Sequence, residues 1–172
     1  MALDKRWTAS FLVRFAGVDD VLVDVIGFLV LLLAGFAACA EFGSYAFVHP
    51  LIRRLPGAEL IRFEQGLLGT FGRAYPILMP LGGVMLIVYA VWGGGEGGPS
   101  ILRWLAAGAW LIATATTLLV NVPINAATRT WDPHHPPAEW KKVRRRWELF
   151  QAVRAWLLLG AFASVCIGFT VY

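Results

Sequence analysis

The chain has 172 residues, of which 58% are hydrophobic and only 15% charged, with eight Trp and a formal net charge of +4. A soluble domain averages roughly half apolar and about a quarter charged residues; the excess here lies in long runs, which excludes an ordinary soluble fold and points to a bilayer. The Lys and Arg residues sit mainly beside those runs, which fits anionic lipid and excludes nucleic acid as a partner.

One domain suffices for this length. Cys39 and Cys166 both lie in apolar runs, without metal-type spacing. By the topology below they sit near opposite ends of their helices, roughly 20 Å apart, too far for a disulfide.

Met1 to Val18 is read as an interfacial segment rather than a span. Trp7, Phe11, Leu12 and Phe15 form an apolar stripe against Lys5, Thr8 and Arg14, which suits a short helix in the membrane interface or one packed on the bundle. Residues 19–172 form the transmembrane domain, with spans at about 21–48, 75–93, 100–121 and 152–171. Ala38-Cys39-Ala40 resembles a signal cleavage site. The run is too long for a signal peptide, however, and Asp4, Asp19, Asp20 and Asp24 spoil a basic lead-in, so it is expected to remain.

In the first span, Gly35, Cys39 and Gly43 form a small-residue stripe suited to close helix approach. Glu41, Tyr45 and His49 form a polar stripe beside it, and the helix is expected to break at Pro50. The loop that follows carries a short amphipathic helix over 58–73. There Glu64 lies in the middle of an apolar face made by Leu60, Leu67, Leu68 and Phe71. The second span starts at Tyr75, with Pro76 and Pro80 in its first turns, and closes at Gly93–Pro99. That glycine run lacks the lysine and flanking strand of a phosphate loop.

The third span begins at Ser100, and Pro123 is expected to kink its end, freeing a carbonyl near Leu119. The fourth helix covers Ala138 to Tyr172, with Gly160, Ser164 and Gly168 as a second small-residue stripe. Eleven of the fifteen basic residues fall in or beside the first and third loops. That places those loops in the cytoplasm and both termini outside. The fold class is therefore all-α, a four-helix up-down transmembrane bundle.

Polar chemistry gathers at the cytoplasmic end. Asn121, Asn125 and Arg129 form one stripe, and Arg144, Trp147, Glu148, Gln151 and Arg154 form a facing one. Such groups need partners in a bilayer, so the stripes either staple helices together or build a site. Asn125 and Arg154 are the leading pair. Glu41, His49 and Glu64 suit proton abstraction, or a carboxylate–histidine metal set; equally, a Glu neutralises Arg154 or Arg129, and His49 caps its helix. Asn121, Tyr45, Trp131, Trp147 and Gln151 are candidate substrate contacts. Lys141 to Arg146 reads as a lipid headgroup anchor, Trp104, Trp131, Trp140 and Trp147 as an aromatic belt, with Trp147 alternatively a flat wall for a ligand, and His134-His135 as solvated turn residues.

Val122-Pro123-Ile124-Asn125, the Trp131 beyond it, Arg146-Trp147 followed by Arg154, and His49-Pro50 together resemble the anthrone oxygenase-like family, also called DUF1772. The resemblance covers roughly Gly27 to the end. It implies a small four-helix membrane protein, some of whose members oxidise anthrones to anthraquinones with molecular oxygen and no added cofactor. It further implies that Asn125, Trp147 and Arg154 line the pocket. In many members a His or Asn falls just before the matching Arg. Here Gln151 and Ala152 occupy that turn, which shifts attention to Glu41, Glu64 and His49.

The expectation is thus a membrane oxidoreductase acting on a lipophilic aromatic molecule, with oxygen as co-substrate and Glu41, His49, Glu64, Asn125 and Arg154 as its catalytic set. The alternatives are a non-catalytic membrane subunit or small-molecule binder, and a metal-dependent enzyme using Glu41, His49 and Glu64. The partners expected are the bilayer, a lipophilic small molecule, and a second copy through the small-residue stripes. A transporter ranks last, since there is no inverted repeat and no polar path on the outer half.

Overall fold

The computed structural model describes residues 5–93 and 97–171, with side chains from Val21 onward. Four long rods are built from six α-helices and two π-helical turns. The first rod is α1 (Lys5–Gly43), a π-turn at Ser44–Val48, and α2 (His49–Ile52). The second is α3 (Gly57–Trp92). The third is α4 (Gly98–Thr116), a π-turn at Thr117–Asn121, and α5 (Val122–Arg129). The fourth is α6 (Trp140–Thr170). The helices pack in a ring, α1 against α3 and α6, and α4 against the same two.

All four rods are long and apolar enough to cross a membrane. Their outward faces carry large apolar side chains such as Phe28, Phe36, Ile77, Leu119 and Ile167, as lipid contact requires. A 31-residue helix such as α6 is about 46 Å long, well beyond the roughly 30 Å hydrocarbon layer. Counted back from Thr170, Arg154 lies about 24 Å along α6 and Arg144 about 39 Å. Arg154 therefore falls within hydrocarbon depth and Arg144 at or beyond its edge.

Several local expectations change. Pro50 does not end the first rod. The helix instead widens into the π-turn two to six residues earlier and continues to Ile52. Pro123 does the same, with its π-turn at Thr117–Asn121. A proline removes one amide donor and crowds the preceding turn, and an extra residue in that turn absorbs the misfit without breaking the rod. The short helix expected over 58–73 is the first half of α3, which runs unbroken through Pro76 and Pro80. Donors from the third rod satisfy carbonyls along that stretch: Trp110 Nε1 donates to Met79 O at 2.8 Å and Arg129 Nη2 to Leu68 O at 3.0 Å. The backbone of α1 is already helical from Lys5; how the side chains of the predicted interfacial segment sit lies outside the described residues.

The small-residue stripes are packing seams only in part: a side chain at Gly35 would meet the Phe162 ring at 3.1 Å. A side chain at Gly43 or Gly160 would meet nothing within 4 Å, whereas one at Gly82 would land inside the buried Trp110 ring. The core is instead rich in alanine: Ala34, Ala37, Ala106, Ala107, Ala113 and Ala161 surround Trp110, Leu86 and Leu158. Small residues spread over four helices let the backbones approach on every side. This tight core fills the half of the bundle away from the long loops, and the other half is hollow.

Candidate functional site

A cavity of about 380 Å³ opens where the two π-turns and the first half of α3 come together. Apolar walls come from Leu67, Leu68, Phe71, Pro76, Met79 and Pro80 on α3, and from Leu118 and Val122 on the third rod. Phe71, Leu118 and Val122 are also exposed on the bundle surface, so the cavity is open between α3 and the third rod. Its polar lining includes Glu41, His49, Glu64, Tyr75, Asn125, Arg129, Gln151 and Arg154. All five residues expected as catalytic are among them.

Two charge networks stand behind this lining. In the deeper one, Arg154 Nε donates to Glu41 Oε2 at 2.9 Å, and Gln151 Nε2 donates to the same oxygen at 2.6 Å. Arg154 also donates to Gln151 Oε1, and through Nη1 to Thr117 Oγ1 at 3.3 Å. Glu41 is 1% exposed, so its charge depends wholly on these donors. The guanidinium carbon of Arg154 lies 5.5 Å from the Tyr75 ring centroid.

The second network is nearer the loops. Arg144 Nη1 reaches Glu64 Oε2 at 2.5 Å, its Nε lies 3.3 Å from Glu148 Oε1, and Glu148 continues to Arg53 at 3.0 Å. Arg144 Nη2 is 3.2 Å from His49 Nδ1. A guanidinium can only donate, so Nδ1 accepts and the neutral imidazole carries its proton on Nε2. Arg144 also lies 4.1 Å from the Trp147 ring centroid, and the His49 ring 5.2 Å from it. Arg144 is therefore turned inward and is not part of a lipid anchor; Trp147 is a buried wall rather than a belt residue.

Asn125 and Arg154 both line the cavity without bonding each other. Asn125 Oδ1 accepts from Trp147 Nε1 at 2.6 Å, and Asn121 Nδ2 donates to the Trp147 carbonyl at 3.2 Å. Both asparagines position Trp147, because Glu41 takes the guanidinium from the other side. Asn121 is fully buried and does not line the cavity. Tyr45 and Trp131 are also absent from the lining: Tyr45 packs against Phe42, and the Trp131 carbonyl accepts from Gln65 Nε2. The expectation that a Glu neutralises Arg154 holds for Glu41, while Glu64 pairs with Arg144 rather than Arg129.

Glu41, His49 and Glu64 share the cavity but are drawn to different arginines. Among the described residues, no three His, Cys, Asp or Glu side chains gather as a group that could hold a metal ion. His134 and His135 stay in the loop, where Asp132 accepts the His134 backbone N–H at 2.9 Å and contacts the His135 ring. The first of these bonds, then the second, holds the Asp132 carboxyl below the usual carboxylate range.

Two buried polar atoms of the lining have no hydrogen-bond partner, Glu64 Oε1 and Tyr75 Oη. Tyr75 was missed as a site residue, since at the start of an apolar span it reads as an ordinary interfacial aromatic. Its place on α3, immediately before Pro76, is what brings its ring beneath Arg154. Buried polar groups without partners are rare, and their presence in a cavity wall marks where a ligand would complete the bonding.

A membrane-type helical bundle with a lipophilic cavity over paired carboxylates and guanidiniums is thus the class defined by fold and site. The family follows from sequence comparison. The model of the anthrone oxygenase family matches residues 69–164, more than half of the chain, and the protein belongs to that family. It is an oxygenase-like membrane protein in this sense. The match contains Tyr75, Asn125, Arg129, Trp147, Gln151 and Arg154, and stops short of Glu41, His49 and Glu64; it is narrower than the stretch from Gly27 expected from the sequence. No curated protein and no solved structure matches the chain.

Proposed function

We propose that the protein oxidises an anthrone-like substrate, a fused aromatic ring system with an acidic methylene opposite a carbonyl, using molecular oxygen. The observation that carries this reading is Glu64: one carboxylate oxygen is held by Arg144, and the other is buried without a hydrogen-bond partner on a residue that lines the cavity. A carboxylate fixed on one side and free on the other is a positioned base. Glu64 Oε1 takes a methylene proton, and the electron pair moves through the ring to the carbonyl oxygen. Tyr75 Oη has a free donor for that oxyanion. The enolate carbon then reduces oxygen and forms a C–O bond, and the terminal peroxide oxygen takes back the proton held by Glu64 to give a hydroperoxide. Loss of the second C–H proton with O–O cleavage gives the quinone carbonyl and one water.

In this scheme Arg154, Gln151 and Glu41 position Tyr75 and the cavity floor, while Asn125 holds Trp147 as a flat wall. Both termini lie outside, with the site at the cytoplasmic end. A second reading, a non-catalytic subunit or binder, is favoured by the deeper network, whose groups bond one another and staple three rods. Oxygen uptake with an anthrone, on protein in lipid nanodiscs, separates the two. The oxygenase consumes one oxygen per quinone formed, and Glu64→Gln lowers kcat by roughly 10²–10⁴-fold. Uptake no faster than in empty nanodiscs favours the binder, and equal rates above that background for Glu64→Gln and wild type would remove Glu64 as the base.

A further inference from the structure

The charges around the cavity do not all find partners. Glu41 pairs with Arg154 and Glu64 with Arg144. Arg129 also lines the cavity, yet among the described residues no carboxylate lies within ion-pair distance of it; its Nη2 donates only to the Leu68 carbonyl. Leu68, Gly72 and Arg129 are shared with a second recess of about 370 Å³, completed by Gln65, Gly69 and Arg73. Arg73 is exposed and likewise lacks a carboxylate partner among the described residues.

The recess is opposite in character to the cavity it joins. It offers two guanidiniums and no acid. Its walls are fixed, since Gln65 Nε2 donates to Thr128 O at 3.0 Å and Trp131 O at 2.9 Å, tying α3 to the end of α5. A Cβ at Gly72 would come within 2.9 Å of Arg129 Nη2, so the glycine is what lets the guanidinium lie across α3. Guanidinium forks match carboxylate and other anionic oxygen groups in charge and geometry.

We propose that this recess binds an anionic oxygen group carried by the molecule whose apolar body fills the cavity. The ligand is then an amphiphile, an aromatic ring system bearing a carboxylate or an ionised phenol, with Arg129 and Arg73 as its head-group site. This rests on the reading that the cavity holds a lipophilic ring system. Arg129 is exposed but borders both spaces, so an anion bound to it sits at the mouth of the cavity, within reach of what the cavity holds.

The test uses two inert fluorescent probes, anthracene and anthracene-2-carboxylate, titrated into protein in phosphatidylcholine nanodiscs and corrected for partition into empty ones. The carboxylate should bind roughly tenfold tighter or more. Arg129→Gln should remove that preference and Arg73→Gln should reduce it; Arg73, being exposed, is replaceable without disturbing the fold. Equal binding of both probes, or a preference that survives both substitutions, overturns the proposal. Loss of the preference when phosphatidylglycerol is added would make the recess a lipid headgroup site and overturn it as well. Neither probe turns over, so a failure here is distinct from failure of the oxygenase reading. Binding of neither would sink the cavity reading and the head-group site together.

Discussion

Glu41 and Arg154 show how a charged pair survives at hydrocarbon depth. Each is expensive alone, and the pair persists because Gln151 and Thr117 satisfy the remaining lone pairs and protons. Removing one member should cost far more than removing both. Arg154→Ala leaves Glu41 buried without its cation, and is expected to destabilise the protein by about 3–5 kcal/mol in reversible unfolding in micelles. The double replacement Glu41→Leu, Arg154→Met should recover most of that loss. Equal destabilisation by both variants would show that the pair stabilises in its own right. The residue types of this network were legible in the sequence, because polar groups in lipid-length runs stand out. Their pairing was not: Arg154 has Asn125, Glu41 and Glu64 within plausible reach, and only the packed helices decide for Glu41.

At the scale of elements, periodicity revealed the four rods, and proline marked where the first and third would be irregular, although α3 runs unbroken through its two prolines. What periodicity could not give is that an irregularity is absorbed as a π-turn, since inserting one residue costs less than losing a helix in a bilayer. Both π-turns supply cavity lining, through Ser44 and Thr117, so the irregular helix segments and the hollow half of the bundle coincide. Close packing was misassigned for a related reason. The stripes at Gly35–Gly43 and Gly160–Gly168 are regular in sequence, but of Gly35, Gly43 and Gly160 only Gly35 meets a neighbour closely, whereas the tightest approach, at Gly82, is identified only by the ring facing it. Gly82→Ala tests that seam. Alanine favours helix by about 1 kcal/mol over glycine, but its Cβ would overlap Trp110, which is fully buried and anchored to Met79 O. The clash should win, with net destabilisation of about 1–3 kcal/mol and a lowered Tm. An unchanged or raised Tm would mean that Trp110 is free to move.

Over the whole molecule, one half of the bundle is a dry alanine-rich core and the other a cavity ringed by charge. The long loops with most of the basic residues adjoin the cavity, so membrane orientation decides which compartment the site faces. With Cys39 and Cys166 replaced, His135→Cys should resist a membrane-impermeant maleimide in intact cells and react after lysis; labelling in intact cells would reverse the orientation. The central claim is that Glu64 removes a proton from a ring methylene held in the cavity. It is tested most directly without oxygen, by following deuterium exchange into the methylene of an anthrone in heavy water by NMR. Wild-type protein should accelerate exchange over empty nanodiscs, and Glu64→Gln should return it to background. Equal acceleration by wild type and Glu64→Gln would contradict the assignment of Glu64 as the base.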